Sequence, residues 1–127
     1  MTPAMHRRVR DYFFDAGLTT GFITQMLRWR DTGKDVDKFI VFRPNGGSPI
    51  QKDLSSDYLV LVDVVGAVNE DEEADNAVQN IISHIQNNPM PNGCLGQIEN
   101  VGGIPPPVST TEGRLIYRLQ FSCLYGG

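Results

Sequence analysis

The stretch that most constrains this chain is Tyr58-Leu59-Val60-Leu61-Val62-Asp63-Val64-Val65, in which an extended backbone leaves neither side suited to water. Successive side chains alternate across a strand, placing Tyr58, Val60, Val62 and Val64 on one face and Leu59, Leu61, Asp63 and Val65 on the other. An antiparallel strand with one solvated side alternates apolar with polar. A strand apolar on both sides is therefore central and covered, or it meets another chain. Just upstream, Phe39-Ile40-Val41-Phe42 is a second such run, followed by the turn chemistry of Arg43-Pro44-Asn45-Gly46-Gly47. The two runs read as strands joined by a long hairpin connection.

At 127 residues the chain has room for one domain, residues 1–127, with a real core. No apolar run approaches the roughly 20 residues that span a bilayer. Met1-Thr2-Pro3-Ala4-Met5-His6-Arg7-Arg8 has no apolar core behind its basic residues, so it does not read as a secretory signal, and a cytoplasmic location is expected. Cys94 and Cys123 are then expected as reduced thiols, with a disulfide the minority reading. Their spacing from the two histidines makes no zinc site. The net charge of −4 argues against a nucleic-acid or anionic-membrane surface. The charge is lopsided: eight Lys/Arg face five Asp/Glu through Arg43, a net of +3, while the remainder holds three against ten, a net of −7. Such polarity is usually a solvated surface. It also suits a molecule whose basic side meets the acidic side of an identical neighbour.

Met5, Val9, Tyr12, Phe13 and Ala16 recur at helical spacing, with Thr2 as candidate N-cap, Pro3 at the first position and Gly17 as left-handed terminator. Phe22 to Trp29 fits either a strand, with Ile23, Gln25, Leu27 and Trp29 on one side, or a helix. The turn chemistry of Thr19-Thr20-Gly21 favours the strand. Ala74, Ala77, Val78, Ile81, Ile82 and Ile85 form a helical stripe, with Asn69 and Glu72 placed as a capping box and His84 outside. Gly96–Val101 is a short strand and Gly102–Gly113 an extended loop. Leu115, Tyr117, Leu119, Phe121, Cys123 and Tyr125 then mark the core face of a long strand. The order predicts an α+β fold in which about five strands, mixed but mostly antiparallel, pack with two main helices. Two connections, Arg43 to Asp57 and Gly102 to Arg114, are long enough to suggest function.

No catalytic constellation is present. Glu70-Asp71-Glu72-Glu73 fans around a helix start, where carboxylates already complement the macrodipole, and lacks calcium-loop spacing. Asn45-Gly46-Gly47-Ser48 lacks the Lys-Ser/Thr ending of a phosphate loop and opens no helix. Phe39, Phe42 and Tyr58 on a sheet lack the basic-aromatic consensus of RNA-recognition domains. Pro105-Pro106-Pro107 reads as a stiffener of a projecting loop. The composition therefore points to a non-enzymatic chain with no cofactor and no metal.

An N-terminal helix, then Phe39–Gly47, Asp53–Val64, the amphipathic helix and Thr110–Phe121 together make a pattern. It resembles the tail terminator proteins of long-tailed bacteriophages, the lambda-type minor tail protein U family. The resemblance implies a virion or prophage structural protein, assembled in the bacterial cytoplasm and resident in the tail. Such a protein caps the tail tube, ends polymerisation of the major tail tube protein and joins the head through a connector protein. It also implies a homo-hexameric ring on assembly, monomeric in dilute solution. Within that frame Arg43, Asn45, Gly46, Gly47, Lys52 and Asp53 are expected at the tube or channel. Arg7, Arg8, Arg10, Pro105, Pro106, Pro107, Glu112 and Arg114 are expected at a neighbouring subunit or the head side. The competing reading is a ferredoxin-like regulatory or ligand-binding module that dimerises through its sheet.

Overall fold

The computed structural model describes residues 4–47, 58–90 and 95–125. The elements are α1 (Met5–Asp15), β1 (Ile23–Met26), β2 (Phe39–Gly47), β3 (Tyr58–Val65), α2 (Asp71–Asn87), β4 (Leu95–Val101), β5 (Val108–Ser109) and β6 (Leu115–Tyr125). They form an α+β domain with one six-stranded sheet in the order β1-β2-β3-β6-β4, with β5 paired to β6. β1 runs parallel to β2 and the other ladders are antiparallel. The short β5 is the strand that the sequence hides inside its 102–113 loop, because two residues carry no periodicity.

Both helices cover one face. Met5, Val9, Tyr12 and Phe13 are the buried side of α1, and Phe13 sets its ring edgewise on Phe42 at 5.4 Å and Phe121 at 6.0 Å. Ala74, Val78, Ile81 and Ile85 are the buried side of α2, as the stripe requires. They meet Val60, Val62, Val64, Leu119, Phe121 and Cys123 in one cluster. Each large side chain removed from water there contributes roughly 1.5 to 3 kcal/mol. Tyr117 donates its hydroxyl to Asp75 Oδ1 at 3.1 Å and so ties the first turns of α2 to β6. Burial, then the hydrogen bond to Asp75, pushes the Tyr117 hydroxyl pKa up.

α1 ends as expected. Gly17 has φ +77°, its N–H bonds the Phe14 carbonyl at 3.0 Å, and the Leu18 N–H bonds the Phe13 carbonyl at 2.9 Å, the paired closure of a Schellman motif. The helix starts differ from expectation. The N-cap position of α1 falls on Ala4, which makes no side-chain cap bond, while Thr2 and Pro3 lie outside the described residues. Asn69 does not cap α2: its N–H is committed to the Gly113 carbonyl at 2.9 Å, it sits at φ +62°, and Glu70 occupies the N-cap. Glu72 therefore has no free Asn69 amide to reach back to. His84 is half-buried rather than outside, its ring 5.7 Å from that of Tyr12.

β1 is shorter than the sequence suggests. Leu27 at φ +74° ends it, so Trp29 leaves the strand and packs on Phe39 at 5.9 Å on the face opposite the helices. That second face holds a smaller cluster of Phe39, Val41 and Val65, flanked by Trp29 and Ile116.

Candidate assembly surfaces

The double demand of β3 is met in two ways. On the face away from the helices, Val65 is covered from within the chain, whereas Leu59 and Leu61 are only half-buried. Between these ends sits Asp63, 2% exposed, in register with Val41 on one side and Arg118 on the other. Arg118 donates Nε to Asp63 Oδ1 at 3.0 Å and Nη2 to Oδ2 at 3.2 Å, and Arg43 donates Nη2 to Oδ2. A buried charge requires partners. Among the described residues two guanidiniums meet one carboxylate, and that group carries a net positive charge. Arg43 Nε is buried with no acceptor among the described residues, while the Arg118 side chain is 57% exposed. The hydrogen bond to Asp63, then its charge, pushes the Arg118 pKa up against the opposing effect of burial. Beside Arg118 lies an open groove of about 320 Å³ lined by Leu61, Val101, Gly102, Gly103, Pro105 and Gln120.

The residues expected at a tube or channel divide. Arg43 is drawn down onto the sheet face by Asp63. Asn45 and Gly46 are exposed, Gly46 at φ +80°, and the ladder slips between Pro44 and Gly47 before Gly47 pairs with Tyr58. One extra residue in β2 makes this a bulge, which bends the hairpin. Pro44 lies beyond the Met26–Phe42 end of the β1 ladder, where its missing N–H leaves that ladder intact. Lys52 and Asp53 lie outside the described residues.

The residues expected at a neighbour or the head also divide. Arg7 is exposed on α1, and Arg8 and Arg10 are half-buried, Arg10 pairing with Asp11 at 3.0 Å. Burial, then the charges of Arg7 and Arg10, lowers the His6 pKa. Pro105 is half-buried in the groove, with Pro106 and Pro107 exposed. The α1 arginines and Pro105 thus fall on opposite sides of the sheet. Arg114 is 1% exposed and bonds the carbonyls of Asp37 at 2.6 Å, Lys34 at 2.8 Å and Gly66 at 3.0 Å. Its guanidinium lies 5.8 Å from the Trp29 ring and 5.5 Å from Phe39, and Glu112 reaches its Nε at 3.3 Å. Arg114 is occupied inside the chain, anchoring the 31–38 loop, and Glu112 is occupied with it.

Sequence reasoning missed Asp63 and Arg118. The signal was present: a lone carboxylate in an apolar strand must find a cation, and Arg118 is one of three Lys/Arg beyond Arg43.

Among the described residues, no group of three or more His, Cys, Asp or Glu is placed to hold a metal, and no helix is long and apolar enough to cross a membrane. Cys123 is buried, which pushes its thiol up to about 12. What the described residues present is a set of surfaces: a part-apolar sheet face carrying Arg43 and Arg118, a bulge near the end of β2, a basic α1 and an acidic first turn of α2. The family model described as phage tail termination protein matches residues 2–127. No curated protein matches the chain.

Proposed function

The chain belongs to the phage tail termination protein family, and from that premise we propose that six copies close into a ring on the end of the tail tube. It is a structural component of the virion tail, assembled in the host cytoplasm, and not an enzyme. In this reading the ring stops addition of the major tail tube protein on one side and presents a surface for a head connector protein on the other. The supporting observation is the inequality of the two sheet faces, one sealed by α1 and α2 and one left part-open at Leu59 and Leu61. A head-to-tail contact needs two unlike surfaces on each copy, and ring closure stops further growth.

The bulge at Asn45 and Gly46, near the end of β2, is the proposed tube contact, since glycine backbone adjusts on docking. The segment from Gly102 to Pro107 is proposed to face a neighbour or the head side. A ferredoxin-like ligand-binding module draws no support from the family match.

Negative-stain microscopy of the protein mixed with its cognate tail-tube subunit tests the proposal. Rings on one tube end, with tube growth arrested, are expected; tubes that lengthen without end rings would overturn it. Deleting Asn45 to Pro49, of which Ser48 and Pro49 lie outside the described residues, is expected to leave a folded protein that no longer caps. Full capping by that variant refutes the tube-contact assignment.

A further inference from the structure

The groove beside Arg118 and the helices lie on opposite sides of the sheet, so nothing on α2 reaches the groove of its own chain. We propose that the groove receives the acidic first turn of α2 from a second copy, with Glu70 and Glu72 toward Arg118 and Val36 against Leu61, Val101 and Pro105. This contact rests on the ring reading above and names its two surfaces.

Both partners carry matching chemistry. The groove joins apolar walls to Arg118, which with Arg43 shares one buried carboxylate, Asp63, among the described residues. The opposing surface joins carboxylates to an apolar knob: Val36 is 80% exposed and lines one crevice with Val68 and Glu70. A hydrogen bond from the Val68 N–H to the Asp35 carbonyl at 2.9 Å fixes that crevice. Lys38 pairs with Glu73 and Tyr117 with Asp75, which leaves Glu70, Asp71 and Glu72 without an ion pair among the described residues.

On the basic helix α1, Arg10 is committed to Asp11. Tyr12 meets α2 at His84, about 20 Å along the helix axis from Asp71 at 1.5 Å per residue. Unlike charges held on opposite sides of one rigid unit are relieved by a neighbour, and the contact is heterologous because the two surfaces differ.

Two variants of the full chain test the contact. Gln120→Glu puts a carboxylate beside Arg118 while leaving the Asp63 pairs in place, and Glu70→Lys with Glu72→Lys reverses the α2 turn. Thermal melts by circular dichroism establish that each is folded, and sedimentation velocity over a concentration series reads association. Each variant is expected to weaken association roughly tenfold or more, and the two combined on one chain are expected to recover it. Undiminished association of either variant, or no recovery on combination, overturns the contact. If the wild type caps tubes with rings while Gln120→Glu still assembles, this contact alone is wrong. If the wild type forms no ring on tubes, the ring reading fails and the contact with it.

Discussion

Asp63 and Arg118 stand directly opposite each other on β3 and β6, and the guanidinium of Arg118 grips both carboxylate oxygens, at 3.0 and 3.2 Å. The pair places a charge in a strand that is otherwise apolar on both sides. It divides the far sheet face into a sealed end, under Trp29, and an open end, at Leu61.

Asp63→Asn keeps the shape and removes the charge, leaving Arg43 and Arg118 against each other. Losing one member of a buried ion group is expected to destabilise the fold by about 2 to 4 kcal/mol, read from the urea midpoint. A loss under about 0.5 kcal/mol, the level of an exposed pair, would show that the cluster is effectively solvated.

Arg114→Lys keeps the charge but loses the planar fork that bonds three carbonyls. Stability is expected to fall by about 2 to 3 kcal/mol. Amide exchange should quicken most at Val68, whose N–H bonds Asp35 in the anchored loop. Equal quickening throughout the sheet, with Val68 not singled out, would contradict the anchoring role.

Gly66 lets α2 approach the sheet: a Cβ at that position meets the Ala74 Cβ at 2.9 Å. Gly66→Ala is expected to cost about 1 to 3 kcal/mol by overpacking. Ala74→Gly in the same chain should return part of it, beyond what additivity allows. Strict additivity of the two substitutions would place the cost elsewhere.

Burial lifts the Cys123 thiol from its ordinary 9.0 to about 12. A folded-state pKa raised above the unfolded one gives stability that is complete below about pH 9 and is lost as pH rises toward 12. In a Cys94→Ser background, a disulfide reagent at pH 8 is expected to leave Cys123 unmodified until denaturant is added. Rapid modification of the native protein would show that the core opens at β6.

Much of the fold was legible because periodicity reports burial. The stripes of α1 and α2 and the alternation of β6 each show which side faces the core, and the strands fell where β-branched runs meet turn residues. Local geometry with competing partners was not legible. Asn69 looks like a cap, but its amide goes to Gly113, 44 positions on. Leu27 ends β1 by adopting a positive φ that its side chain gives no hint of.

The sequence by itself determined that β3 is apolar on both faces, that two helices flank the sheet and that charge is unevenly divided along the chain. It also determined the resemblance that the family match bears out. Only the tertiary structure decided which charges remain outside. Arg114 and Arg118 sit four positions apart in one segment, yet one is sealed beneath Trp29 and the other borders an open groove. The reason is physical: whether a guanidinium is consumed or left for a partner depends on carbonyls and carboxylates brought to it from distant strands and loops, and their arrival is a property of packing, not of spacing along the chain.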